Sequence, residues 1–247
     1  MPQPSERPAG VPALQSGPRS ISVPVAFAAW AMGWLAGNVL ASVVLLASGQ
    51  QNVASARRPV WTIGALALAL WLPQIAAVAI AVQYFGQRRV AIDCRLRFAS
   101  IDLVGLPIGV ASQLALLWAV YWPLKHWWPQ TFSEQRLEQN ARDLYDRATG
   151  GWVVLLVFVV VIGAPLVEEL VYRGLIQSAL MSRMSAGLAA VAAAGFFALI
   201  HFRPIEYPGL FAFGLVLGVC LATTQRIGMG VAAHMAFNAT ALILVAR

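Results

Sequence analysis

The sequence predicts an all-α fold: a polytopic membrane helical bundle of about seven transmembrane helices, with room for an eighth, and one amphipathic surface helix. Hydrophobic residues make up 60% of the 247 and charged residues only 11%, against about 25% charged in a soluble domain. No soluble core of this size absorbs that much apolar surface. The apolar residues also gather into runs long enough to cross a bilayer core of ~30 Å. The net charge of +7 is carried mainly by arginines set between these runs, as juxtamembrane charge is. It therefore reads as a topology signal, and no nucleic acid partner is expected.

Residues 1–20, rich in Pro, Gly, Ser and Gln, are expected to form a disordered tail. Residues 21–125 hold the N-terminal transmembrane helices, 126–150 an amphipathic connector helix, and 151–247 the candidate catalytic core. The first run, about Val23 to Ala47, is too long for a signal peptide and is read as a retained span. Its Gly33-x-x-x-Gly37 spacing makes a close-packing face. The second span runs from about Trp61 to Phe85 and the third from about Leu103 to Trp122, with Asp102 as an interfacial cap at its mouth. Arg88, Arg89, Arg95 and Arg97 lie in the loop between them and tip the N-terminus towards the cytoplasm. The third span closes in a belt of tryptophans around Lys125 and His126.

Thr131 and Glu134 have capping-box spacing. After them Leu137, Ala141, Leu144, Tyr145 and Ala148 share one helix face, while Glu138–Arg142 and Asp143–Arg147 are i,i+4 pairs on the other. This predicts a helix lying along the membrane surface. Gly151 to Met181 is then expected as one long, tilted helix kinked at Gly163/Pro165. Spans at about Ala186 to Phe202, Pro208 to Thr224 and Ile227 to Ala246 complete the bundle. Cys94 and Cys220 fall in a loop and a span, and neither reads as a metal motif.

The chemistry gathers in Gly163–Gly174, where Glu168, Glu169 and Arg173 interrupt an apolar run. Ionised groups inside a bilayer are costly and are kept where they pair or react. Glu169 and Arg173 are four apart and share a helix face; Glu168 points about 100° away and has no local partner. Phe197 and His201 lie one turn apart on a later span, and His234 and Asn238 one turn apart on the last. Counted along their helices, Glu168, His201, His234 and Asn238 come to compatible depths. A carboxylate beside an imidazole can deprotonate a water and aim it at a carbonyl carbon. An amide or a second imidazole can donate to the oxyanion that develops. Glu168, His201 and His234 would equally suit a catalytic zinc. A non-catalytic scaffold or immunity protein, and a proton-coupled transporter, also use buried polar groups of these kinds.

E-E-L-V-Y-R, F-A-L-I-H and H-M-A-F-N, in this order over about residues 150–240, resemble three motifs, E-E-x-x-x-R, F-x-x-x-H and H-x-x-x-N/B. These belong to the CAAX prenyl endopeptidase and bacteriocin-processing (CPBP, or Abi) family of intramembrane peptidases. The resemblance implies Glu168 as the water-activating base, with His201 sharing that task. It implies Glu169 and Arg173 as supports of the helix geometry, and His234 with Asn238 as the oxyanion-stabilising side. Phe197 enters with its motif as a supporting residue. It implies endopeptidase chemistry on a membrane-associated peptide or protein within the lipid bilayer, glutamate-dependent and without a cofactor in preference to the alternative of a divalent metal such as zinc. Eukaryotic members cut the last three residues from prenylated CAAX proteins; prokaryotic ones are linked to peptide maturation or bacteriocin self-protection. The Ala/Arg-rich, lysine-poor composition suggests a bacterial plasma membrane, where a prenylated substrate is not expected.

Overall fold

The computed structural model describes residues 20–246, so the expected N-terminal tail falls, but for its last residue, outside the described part. Among the described residues the fold is helical throughout: α1 (Val23–Ala47), α2 (Trp61–Phe85), α3 (Ser100–Trp127), α4 (Glu134–Arg147), α5 (Trp152–Met181), α6 (Ala186–Leu199), α7 (Tyr207–Thr224) and α8 (Gly228–Val245). Six of these, all but α4 and α6, are long and apolar enough to cross a membrane, α7 together with its leading turn. The chain is an integral, multi-pass membrane protein.

The fifth expected span is shorter than predicted. α6 ends at Leu199, not Phe202, and covers 14 residues, about 21 Å at ~1.5 Å per residue. Pro204 stops it, because the residue before a proline is pushed out of the helical region; Arg203 sits at φ −127°, ψ 87°. Phe202 takes a left-handed φ of 52°, and His201 is left in the turn just past the helix end.

α5 is a single continuous helix, and it absorbs Pro165 without breaking. The turns before the proline, Phe158–Gly163, are a π-helix, and a second π stretch covers Glu169–Gln177. Proline lacks the N–H that a regular turn requires, and widened turns are one way a helix takes up such a fault.

α1 packs on α2 through the predicted Gly33/Gly37 face. On the other side of the bundle, α3 and α8 approach still more closely. A Cβ added to Gly109 would stand 2.0 Å from the carbonyl oxygen of Ala233. That contact fixes α8 one residue before His234. The main core cluster joins α1, α2, α5 and α6 through residues such as Val78, Ile176 and Phe197. A second joins α7 to α8 through Phe213, Leu217 and Ala233.

Asp102 does more than cap. It accepts from the backbone N–H of Ala99 at 2.8 Å and pairs with Arg226 Nε at 2.8 Å, joining the start of α3 to the α7–α8 turn. The surface helix α4 forms as predicted, with two local differences. Its N-cap is Ser133, whose hydroxyl accepts from the N–H of Arg136, so Thr131 lies outside the helix. Glu134 is released from a capping box to pair with Lys125 at 2.9 Å, and Lys125 holds its carboxyl below the usual carboxylate range. Glu138–Arg142 forms at 2.7 Å. Arg147 turns away from the Asp143 carboxylate, donating instead to the carbonyls of Asp143 (3.0 Å) and Ser55 (2.5 Å), which anchors the end of α4 to the α1–α2 loop.

Candidate active site

α5 supplies three groups to the bundle interior. Glu169 and Arg173 are fully buried, and their side chains meet at 3.2 Å between Oε1 and Nη1, an ion pair by distance without hydrogen-bond alignment. Arg173 also donates through Nη2 to the carbonyl of Gly214 on α7 at 3.2 Å, and its guanidinium lies 4.5 Å from the Phe197 ring centre. Such cation–π contacts, when desolvated, are worth about 2 kcal/mol. One turn on, Gln177 donates to the carbonyl of Gly218 at 2.9 Å and continues the same polar row.

The pair has a third member that spacing within α5 does not disclose. Glu169 Oε1 also lies 3.0 Å from Nδ1 of His234, across from α8. A carboxylate oxygen at this distance accepts, so Nδ1 carries the hydrogen and donates it. The other ring nitrogen, Nε2, then faces Glu168, 3.7 Å from its Oε2. Glu168 is therefore not partnerless. The two adjacent acids face opposite nitrogens of one imidazole, Glu169 at hydrogen-bond distance from a fully buried position and Glu168 beyond that distance from a side chain that keeps 27% of its exposure. Gly230 makes room for this arrangement, since a Cβ there would stand 2.8 Å from Glu169 Oε2.

Aromatic rings wall the imidazoles. His234 meets Phe213 at 5.4 Å and Phe197 at 6.1 Å, both edge to face. Phe197 also touches His201, with ring centres 4.8 Å apart. His201 thus joins the cluster through the Phe197 ring. Its Nδ1 is 2.7 Å from the carbonyl oxygen of Phe197, which makes Nδ1 the donor and leaves the Nε2 lone pair free. Asn238 lies one turn beyond His234 and donates one amide hydrogen to the carbonyl of Val160, 2.8 Å away in the first π stretch of α5.

Of the residues singled out in the sequence, Glu168, Glu169, Arg173, Phe197 and His234 are linked pair by pair into one cluster, His201 joins it through the Phe197 ring, and Asn238 lies one helical turn from His234. Gly109, Gly230, Phe213 and Gln177 were not singled out. The first has a readable sign, the Gly105-x-x-x-Gly109 spacing also seen at Gly33 and Gly37. Among the described residues, no three His, Cys, Asp or Glu side chains converge as a metal-ligand group. Nδ1 of His234 lies on Glu169 and Nδ1 of His201 on a backbone carbonyl, which leaves Nε2 of each ring outwards, the outer contacts that metal-bound imidazoles also make.

The helical membrane bundle thus carries paired acids and imidazoles in its core. Residues 150–240 match the family described as Type II CAAX prenyl endopeptidase Rce1-like. The likeness read from the three motifs holds over that segment, and the family's activity is CAAX-type intramembrane proteolysis. Neither curated proteins nor solved structures give a match.

Proposed function

We propose that this protein is a glutamate-dependent intramembrane endopeptidase of a bacterial plasma membrane, and that Glu168 activates the water. The observation that supports this most is the imidazole between two acids: Glu169 bonded at Nδ1 and Glu168 at 3.7 Å from Nε2 of His234.

In this mechanism the oxygen of a water attacks the carbonyl carbon of the scissile bond, and its proton passes to the Glu168 carboxylate. His201, with the Nε2 lone pair left free by its Nδ1–H···O=C bond to Phe197, accepts a hydrogen bond from the same water and orients it. The carbonyl electrons move onto oxygen. With both ring nitrogens protonated, His234 donates Nδ1–H to Glu169 and Nε2–H to that oxyanion. Asn238 donates the amide hydrogen that Val160 does not take. Collapse re-forms the carbonyl and breaks the C–N bond, and Glu168 returns its proton to the leaving amine. Glu169 and Arg173 position His234 and do not touch substrate.

The test is cleavage of a membrane-borne peptide by purified protein in lipid vesicles. Glu168→Gln should lower turnover by about 10²–10⁴-fold, the usual weight of a general base, with an unchanged melting temperature. Turnover equal to the parent protein would reject the role of Glu168.

A further inference from the structure

At the end of the bundle where the spans α2 and α5 finish, the loop between α2 and α3 closes over a pocket of ≈ 200 Å³. Its cationic member is Arg95. The backbone of Arg95 is left-handed, at φ 51°, and its carbonyl accepts from the N–H of Ile227 at 3.1 Å. The guanidinium donates through Nε to Ser178 of α5 at 3.1 Å and through Nη1 to the side chain of Gln225. Both partners are neutral.

Two features point to an anion carried on a lipid. The first is positive charge without compensation. Burial holds the half-buried Arg95 guanidinium below the usual arginine range, and no acid acts against this; a cation so placed is costly unless something pairs with it. The one carboxylate in the pocket, Asp93, is turned to the loop's own backbone, accepting from the N–H of Gln87 at 2.9 and 3.1 Å. Beyond the pocket, Arg88, Arg89 and Arg97 of the loop and Arg183 of the α5–α6 turn are exposed, and none has a carboxylate partner among the described residues. At the opposite end of the bundle Lys125, Arg142 and Arg203 each have one. The second feature is the mixed lining. Ser20 and Gln87 are exposed and hold polar side chains without partners among the described residues, while Ile92 and Met181, partly exposed, add an apolar side. A free ion has no use for the apolar side, whereas a headgroup followed by an acyl chain matches both.

We propose that this pocket, with the exposed arginines around it, binds the phosphodiester headgroup of an anionic phospholipid of the bilayer. Arg95 and the side-chain amide of Gln87 donate to the phosphate oxygens, as guanidinium groups do with particular strength. The start of the lipid chain lies along Ile92 and Met181. Lipid phosphates stand at this level, just outside the hydrocarbon core, and basic pockets between spanning helices hold such headgroups. Binding of this lipid does not depend on the protease reading.

The experiment measures binding of a short-chain phosphatidylglycerol with a fluorescent acyl chain to the full chain in an uncharged detergent. Unlabelled phosphatidylglycerol of the same chain length should displace the probe about tenfold or more better than phosphatidylcholine or glycerol phosphate does, and added salt should weaken its binding. Arg95→Gln should lower the affinity for phosphatidylglycerol about fivefold or more, the weight of one arginine near a charged membrane surface. Because Arg95 also ties the loop to α5, Gln87→Glu is the second variant: it sets a like charge against the phosphate and removes no bond of the fold, and it should have a similar effect. Arg57→Gln takes the same charge from the opposite end of the bundle and should change nothing. Equal displacement by phosphatidylcholine would overturn the headgroup site, and equal displacement by glycerol phosphate would overturn the lipid as its source. Full affinity in Arg95→Gln and Gln87→Glu, or an equal loss in Arg57→Gln, would overturn the pocket.

Discussion

Glu169 Oε1 accepts from Nδ1 of His234 at 3.0 Å while lying 3.2 Å from Nη1 of Arg173. One carboxylate oxygen thus ties the turn geometry of α5 to the ring orientation of α8, from a position with no solvent exposure. Four measurable consequences come from this arrangement and the packing around it.

Removing the charge of Glu169 leaves a guanidinium buried without its counter-ion. Glu169→Gln should cost about 3–5 kcal/mol of stability, the usual penalty for breaking a buried pair from one side. Replacing both partners, as Glu169→Gln with Arg173→Met, should cost less than the sum of the single changes. Thermal or denaturant unfolding in detergent measures the coupling; strict additivity would show that the pair is not coupled.

Gly109→Ala forces a Cβ into the carbonyl of Ala233, whereas a Cβ at Gly195 of α6 meets nothing within 4 Å. The first change should destabilise by roughly 1–3 kcal/mol, as overpacking does, and should lower activity by displacing His234. The second should be neutral or stabilising by up to about 1 kcal/mol, the helix preference of alanine over glycine. A matched pair of melting curves and turnover assays separates them. Equal effects would mean that the α3–α8 approach is not what seats the imidazole.

Asn238→Ala should lower kcat by about 10²–10³-fold, the weight of one oxyanion donor, while leaving KM within about twofold because that contact forms in the transition state. A rise in KM with kcat unchanged would instead make Asn238 a substrate-binding residue.

Cys94 is fully buried in the loop before α3, and burial, helped by the charge of Asp93, pushes its thiol up to about 12. Since the thiolate is the reactive form, almost none is present at pH 8. Maleimide should therefore label Cys94 slowly in the folded protein and rapidly once it is unfolded. Fast labelling of the folded state at pH 8 would contradict the packing of this loop against α5.

Much of this architecture was legible in the sequence because hydropathy and helical periodicity act locally. The long spans and the apolar face of α4 follow from runs and spacings alone. The pairing of Glu169 with Arg173 is likewise a four-residue relation. The contact of Glu169 with His234 was not legible, since the two are 65 residues apart and the π stretch at Glu169–Gln177 changes which directions side chains leave α5. The end of α6 carried a readable sign in Pro204. The span was nevertheless drawn to Phe202, because hydropathy outlasts the helix there.

The brevity of α6 has a further effect, on the lipid itself. Leu188, Val191 and Leu199 of this helix face outwards, yet its ~21 Å falls about 9 Å short of a ~30 Å hydrocarbon layer. A short span is met by local thinning of the bilayer or by polar side chains at its ends, and the Arg203–Glu206 pair stands there, at 3.2 Å, beside the turn that holds His201. The proposed hydrolysis at membrane depth needs a supply route for its smallest reagent, and a locally thinned layer on this flank would be one; turnover that falls as vesicle bilayers are made thicker would agree with it.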